Sequence, residues 1–437
     1  MLTALKIYLR LALAPILYFA AIISVLVTIF KRAGVGLYLM IAMIPQPNVW
    51  HKLIDYPFGK DFMDVLFFSI LLGIIYQRKG FEKTSNTIII FIFILISYIA
   101  LWNSSIRFAL PLPITTANAL LKDWKNYVEM IMLYYLALSV SKNEDQQKVM
   151  VVLIAAIVLF VAIRSYRNFS GGDAFRYDKR VGGPFEAVGL GSNHFGAFIA
   201  YCSSFILGLA LFDTDKKRKL LYGAAVLFGL HPLFFSYSRG AYLAALAVLL
   251  LYGLVKKRSL LIVCFILVLA WQTVLPASVV DRIEMSETDT GQLEGSAAHR
   301  LVMWEYAVRL FQENPIFGVG FGGFGFTVPE GELTDTHSLY MKTLSEQGII
   351  GFIILLIIIM KAFLSGWRLN RIGNTDFHKG LGFGFMGAVI AVVITNLFGD
   401  RWSYFALGGY FWILWGIVDR GILISKASSL KRDNLVG

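Results

Sequence analysis

Residues Asp335–Met360 read DTHSLYMKTLSEQGIIGFIILLIIIM, a short polar segment that runs without interruption into a long apolar one. The apolar part, continued to 366, has the length and hydrophobicity of a membrane span, which needs about 20 residues to cross about 30 Å of hydrocarbon. The polar part places a histidine, His337, where water meets lipid. Unperturbed imidazole titrates near neutrality, so His337 is suited to proton transfer on a substrate held at the membrane surface.

Composition extends this reading to the whole chain. Of 437 residues, 57% are hydrophobic, 15% aromatic and 16% charged, far more apolar surface than one soluble core can bury. The expected fold is therefore an all-α, polytopic transmembrane helix bundle of about 12–14 spans. Candidate spans lie near 11–30, 33–45, 62–76, 88–102, 127–140, 149–164, 193–212, 219–235, 240–255, 259–275, 349–366, 380–397 and 402–418. The first resembles a signal peptide, with Lys6 and Arg10 before the apolar run, but Pro15 after Ala12-Leu13-Ala14 disfavours cleavage and a retained anchor is expected. Both cysteines, Cys202 and Cys264, fall inside spans, which argues against a disulfide framework or a cysteine metal site.

The net charge of +12 is concentrated at Lys31-Arg32, Arg78 to Lys83, Lys216 to Lys219, Lys256 to Arg258, Lys361 to Lys379 and the C-terminal tail, in every second loop. That is the positive-inside pattern, so topology rather than nucleic-acid binding explains the excess. The remaining loops, 45–61, 102–126, 165–192, 236–239, 276–348 and 398–401, then face outward. Thirteen spans with an inner C-terminus put the N-terminus outside, against Lys6 and Arg10, unless the short second span is re-entrant or one span is miscounted. The chain divides into an N-terminal transmembrane bundle, 1–275, an outer loop domain, 276–348, and C-terminal helices with a cytoplasmic tail, 349–437.

The outer loops carry the unusual residues. Segment 276–348 has eleven acidic residues against four basic ones, so Arg300 stands out there. Ser296 is positioned to cap a helix whose Leu301, Trp304, Val308 and Phe311 share a face, with His299 and Arg300 near its start and Asn314-Pro315 ending it. The glycine run Gly318 to Gly325, interleaved with aromatics, lacks the lysine and hydroxyl of a P-loop and reads as a close-packed turn. His337, capped by Thr334 or Asp335, is expected on a helix that ends at Gly348 and shares a face with Tyr340, Met341 and Leu344.

Two further arginine sites flank it. Ser236 to Gly240 form a tight outer turn after His231-Pro232, which should break the preceding helix. Arg239 in that turn either snorkels to the interface or binds an anion with its planar donors, aided by the following helix N-terminus. The loop holding Arg164, Arg167, Arg176, Lys179 and Arg180, then Asn193-His194, runs against the positive-inside bias. An anion on that side accounts for it, as do anionic lipid headgroups.

Together these pieces resemble the O-antigen ligase and polymerase family of multispan glycosyltransferases. The matching residues are Arg180-Val-Gly-Gly-Pro-Phe with Ser192-Asn193-His194, Ser238 to Leu243, His299-Arg300 with Trp304, Asn314 to Gly320, and His337 through Glu346-Gln347-Gly348 to Gly351, over roughly 180–420. Ser338 stands where many relatives have asparagine. The resemblance implies a GT-C-like enzyme of the bacterial inner membrane, with its active site facing the periplasm and with neither cofactor nor metal. The implied donor is an undecaprenyl diphosphate-linked glycan, and the acceptor is lipid A-core or another glycan. Under it His337 is the catalytic base of an inverting transfer. Arg239, Arg300 and Arg180 bind the donor diphosphate, and Arg176, His194, Asp335 and Tyr340 support them, with Glu346 a second candidate beside Asp335 to orient the imidazole. A polymerase, a protein O-glycan ligase, and a flippase for a lipid-linked anion are the alternatives; the scarcity of intramembrane charge weighs against the flippase.

Overall fold

A computed structural model of the chain describes residues 2–78, 80–167, 169, 175–285, 295–328 and 335–436. Among these residues the regular structure is helical. In chain order the α-helices are α1 (Leu2–Phe30), α2 (Ala33–Met43), α3 (Pro47–Trp50), α4 (Phe62–Tyr76), α5 (Thr87–Arg107), α6 (Ala119–Val140), α7 (Glu144–Arg167), α8 (Ser192–Ala210) and α9 (Lys216–Phe235). They continue as α10 (Arg239–Val255), α11 (Ser259–Leu269), α12 (Trp271–Val274), α13 (Ala277–Glu284), α14 (Gly295–Glu313), α15 (Phe324–Thr327), α16 (Leu339–Ile372), α17 (Asp376–Leu397) and α18 (Phe405–Val436). Twelve of the thirteen expected spans fall on one helix each. Six segments are long and apolar enough to cross a membrane unaided: Thr87–Arg107, Glu144–Arg167, Ser192–Ala210, Leu339–Ile372, Asp376–Leu397 and Phe405–Leu430.

Helix α5 shows how an apolar sequence divides between lipid and protein. Ile88, Phe91, Leu95 and Ile99 are exposed, whereas Ile90, Phe93, Ser97, Ala100, Leu101 and Ser104 are buried. A continuous exposed apolar stripe of this kind is a lipid-facing surface. On the protein side the core is built from fully buried aromatics, among them Tyr134, Tyr410, Trp412 and Trp415. Helix α17 packs between α8 and α10, and α18 packs along α6. The α8–α17 approach requires small residues, since a Cβ on Gly208 would stand 2.3 Å from the Gly384 Cα.

The basic turns gather on one face. Gln77 Nε2 donates to Thr28 O at 2.9 Å and its Oε1 accepts Ala33 N at 3.2 Å; Arg420 pairs with Glu82; Thr375 Oγ1 donates to Glu144 at 2.8 Å; and Asn374 Nδ2 donates to Ser425 O at 3.0 Å. Helix α2 leaves this face, and the segment after it, Pro47–Trp50, packs against Gly183–Val188 on the other. Eleven residues span only about 16 Å, so α2 crosses with the help of the buried segment that follows it. Tyr18 of α1 stacks on Tyr56 at 4.7 Å, also on the far face. Besides the six, five shorter apolar helices stand among the described residues: Ala14–Phe30, Ala33–Met43, Phe62–Tyr76, Arg239–Val255 and Ser259–Leu269.

Three local expectations are corrected. Pro232 does not break α9, which runs on to Phe235; a proline in a last turn forfeits one hydrogen bond, and Ser236 N still reaches Pro232 O at 3.0 Å. The span expected over 259–275 is interrupted at Ala270, between α11 and α12. On α14 the buried stripe is Met303, Ala307 and Leu310, while Leu301 and Val308 are 44% and 37% exposed. The helix is turned by its packing on Val319 and Phe324. The cap assigned to Ser296 and the alternative cap Thr334 lie outside the described side chains and residues.

Candidate functional site

The far face holds the site, and its centre is the turn before α16. His337 lies off the helix, in a left-handed backbone conformation at φ 51°, and the capping residue is Ser338, whose Oγ accepts Met341 N at 3.5 Å. The expected face shared with Tyr340 and Met341 does not exist, because the chain turns at His337 before the helix begins. The turn is over-determined. Asp335 Oδ1 accepts His337 N at 3.1 Å, Thr336 Oγ1 donates to Ser338 O at 2.8 Å, and Trp304 Nε1 on α14 donates to Thr336 O at 3.0 Å. A positive φ outside glycine costs about 1 kcal/mol or more and persists where neighbours enforce it. The imidazole is half-buried, with Nδ1 3.6 Å from Asp335 Oδ2.

Gly348 then breaks the helix geometry inside α16, at φ 62°, and the residues before it, Leu339 to Gln347, form a separate helical piece across a kink. A side chain there would collide with Ile316 O, 2.3 Å away. Beneath the kink the glycine-rich segment is stitched in by backbone bonds, Val319 N to Ser345 O and Gly320 N to Glu346 O, each 2.8 Å. That is the close-packed turn its sequence suggests. Glu346 is buried here and accepts Phe324 N at 3.4 Å, which commits its carboxylate to this loop.

Cations converge on His337. Arg300 lies three residues before Met303 and so shares the buried stripe of α14. Burial comes first in holding the His337 imidazole below its usual range. The Asp335 carboxylate opposes it, and Arg300, His299 and Arg401 add to the lowering. At neutral pH the ring is uncharged and able to accept a proton.

Arg401 was not singled out from the sequence, and it is the most unusual group in the site. It is 5% exposed, in the turn between α17 and α18. Its guanidinium rests on Gly399, where a Cβ would stand 2.0 Å from Nη1. Nη2 reaches Phe398 O only at 3.5 Å, and Nε has no partner among the described residues. The backbone is fixed by Asn396 Oδ1, which accepts Arg401 N and Trp402 N at 2.8 and 3.0 Å. Burial and then the charge of Arg300 pull the group down to about 10, with Asp400 and Asp335 opposing and Arg180 adding to the fall, so it stays protonated at neutral pH. Asp400 is held low by Lys342, against the effect of burial, through a 2.8 Å ion pair that ties this turn to α16. A buried guanidinium with an unpartnered donor, repelled by two other arginines, has the chemistry to accept an anion. The signal in the sequence was Gly399-Asp400-Arg401-Trp402, charges in a short turn between apolar runs, the same pattern that marked Arg239.

The other expected residues divide. Arg180 belongs to the cluster: Nε and Nη2 donate to Ser236 O at 3.1 and 2.9 Å, and Nη2 to Asn193 Oδ1 at 2.6 Å. Arg239 is the first residue of α10, half-buried beside Gly240, over which the Phe398 ring packs. His194 stands edge-on to Tyr404 at 4.9 Å, within electrostatic reach of Arg401, Asp400 and His337. Arg176 is exposed and paired with Asp178 at 2.9 Å, and the Tyr340 hydroxyl donates to Val393 O at 3.0 Å, so neither meets the cluster through these bonds.

Two cavities adjoin it. One, about 400 Å³, is walled by Arg164, Lys179, Arg180 and the Gly182-Gly183-Pro184 segment. The other, about 420 Å³, lies beside Lys342 and Tyr404 and mixes aromatic faces (Tyr127, Phe321, Phe405) with Asp123 and Asn126. Among the described residues no three metal-ligating side chains gather.

A helical bundle with six spanning helices and a polar, cation-rich site at one face defines a multi-pass membrane protein. Residues 224–356 match the family model described as O-antigen ligase, and this match supports placing the chain in the O-antigen ligase/polymerase family and a role in glycan transfer. No curated protein matches the chain. The matched segment contains Arg239, Arg300 and His337; Arg180, His194 and Arg401 lie outside it.

Proposed function

We propose that the protein transfers a glycan from undecaprenyl diphosphate to an acceptor hydroxyl at the periplasmic face of the bacterial inner membrane, most specifically as an O-antigen ligase acting on lipid A-core. The observation that carries this reading is the buried guanidinium of Arg401, whose Nε has no partner among the described residues, within electrostatic reach of Arg300 and His337. Breaking the sugar–diphosphate bond builds negative charge on the leaving group. Arginines fixed there stabilise the transition state more than the ground state. Arg300 and Arg401 hold the leaving diphosphate, with Arg180 and Arg239 alongside.

His337 takes the proton of the acceptor hydroxyl as that oxygen attacks the anomeric carbon from the side opposite the diphosphate, which inverts the configuration. Asp335 then faces the imidazolium and favours it. Ser338 bonds the helix backbone and leaves both ring nitrogens to Asp335 and substrate, so the imidazole does not depend on an asparagine there. The aromatic and amide lining beside Tyr404 suits sugar rings, which stack on aromatic faces and bond to polar side chains.

Purified protein supplied with the lipid-linked glycan and lipid A-core tests this reading. It predicts one undecaprenyl diphosphate released for each glycan joined, and no product under those conditions overturns it. A deletion strain separates ligase from polymerase. Loss of a ligase leaves bare lipid A-core while long carrier-linked glycan accumulates, whereas loss of a polymerase leaves a single repeat on the core.

A further inference from the structure

The basic face carries a site that the transfer reaction does not use. A cleft of about 330 Å³ opens where α16, α18 and the segment before α5 meet, and four cations line it: Lys83, Lys361, Arg368 and Lys426. Lys361 and Arg368, seven residues apart, lie on one face of α16 two turns from each other. Other cations of this face have partners, Arg420 with Glu82, Lys148 with Glu144 and Arg218 with Asp213. The four in the cleft form no ion pair among the described residues. Asp419 on its wall is 3% exposed and turned inward, where it accepts Asn86 Nδ2 at 2.7 Å and the Tyr134 hydroxyl.

The positive-inside rule accounts for cations on this side, but not for four of them crowding one concave site while the only lining acid is bonded to its neighbours. Like charges so placed repel unless an anion sits between them. The rim indicates where the anion comes from. Leu364 lines the cleft and is 47% exposed, and Met360, one turn earlier, is 52% exposed, so the cleft is continuous with the lipid-facing surface. We infer that this cleft binds the phosphate of an anionic lipid headgroup from the leaflet on the basic face, with the acyl chains running down past Leu364.

The full-length protein in detergent, titrated with phosphatidylglycerol and separately with phosphatidylcholine, tests the inference by native mass spectrometry. Phosphatidylglycerol should be retained in preference, and Lys361→Gln/Arg368→Gln should weaken its binding about thirtyfold, two cations near a headgroup being worth about that much. The pair Lys257→Gln/Arg258→Gln removes equal charge from a neighbouring turn of the same face and should change binding less than about twofold. Equal losses in both pairs, or no preference between the lipids, overturn the site. Displacement of the lipid by millimolar inorganic phosphate overturns its assignment to a lipid headgroup. Neither pair touches the His337 site, so these outcomes are independent of whether the protein transfers glycan.

Discussion

Two histidines of this chain stand at the same distance from a carboxylate and in opposite surroundings. His337 Nδ1 is 3.6 Å from Asp335 and His378 Nδ1 is 3.6 Å from Glu144. His378 is 2% exposed in the first turn of α17, and its Nε2 is bonded to Gln147 Oε1 at 2.8 Å. His337 is half-buried on a left-handed turn, with two arginines in reach. A neighbouring carboxylate is therefore not what marks a reactive imidazole. The difference lies in a half-exposed ring, a left-handed backbone and two arginines within electrostatic reach, the features on which the proposed role of His337 rests.

The contrast breaks most sharply under substitution. His337→Ala should lower the transfer rate by about 10²–10⁴-fold, the usual contribution of a general base, with the melting temperature nearly unchanged. His378→Ala should do the reverse, with transfer kept within a few-fold and about 1–3 kcal/mol of stability lost as Gln147 is left unsatisfied. Rate assays and thermal melts on both variants decide it, and a catalytic loss in His378→Ala would erase the distinction. Next in size, Arg401→Gln should reduce transfer about 10²-fold through lost stabilisation of the leaving group, while the folded protein persists.

The pH dependence sharpens the same comparison. His337 must be neutral to act, so activity falls as pH drops through its lowered folded-state value. Removing the Arg401 charge raises that value and moves the acid limb of the rate profile to higher pH. Asp335→Asn removes a carboxylate that favours the imidazolium and moves the limb to lower pH. Rate–pH profiles of the two variants should therefore shift in opposite senses; a common direction would rule out His337 as the titrating base. Smallest of all, Arg176→Ala should change transfer less than about twofold, since Arg176 is exposed and pairs with the exposed Asp178.

Much of this was legible beforehand, and unevenly. The helices and the basic face follow from long apolar runs and from charge in alternate turns, which are local properties. His337, Arg300 and Arg180 stand out in the sequence because a charged or titratable side chain next to lipid needs a reason to be there. Arg401 has the same property, yet a single arginine in a four-residue turn does not reveal that Asn396 and Gly399 bury it. The buried stripe of α14 was misread because apolar residues cover several of its faces, and only contact with Val319 and Phe324 selects among them. The turn at His337 escaped notice because Ser338 caps as well as Thr334 or Asp335 would, and the choice between them rests on the distant Trp304.

Affinity for undecaprenyl diphosphate tests the central claim most directly, measured on purified wild type, His337→Ala and Arg300→Gln/Arg401→Gln. The arginine pair should account for about 10²-fold in affinity, each charged hydrogen-bond donor contributing about 1.5 kcal/mol or more, while His337→Ala binds the carrier as the wild type does. An unchanged affinity in the arginine double variant would contradict the claim that these guanidinium groups are the seat of the diphosphate.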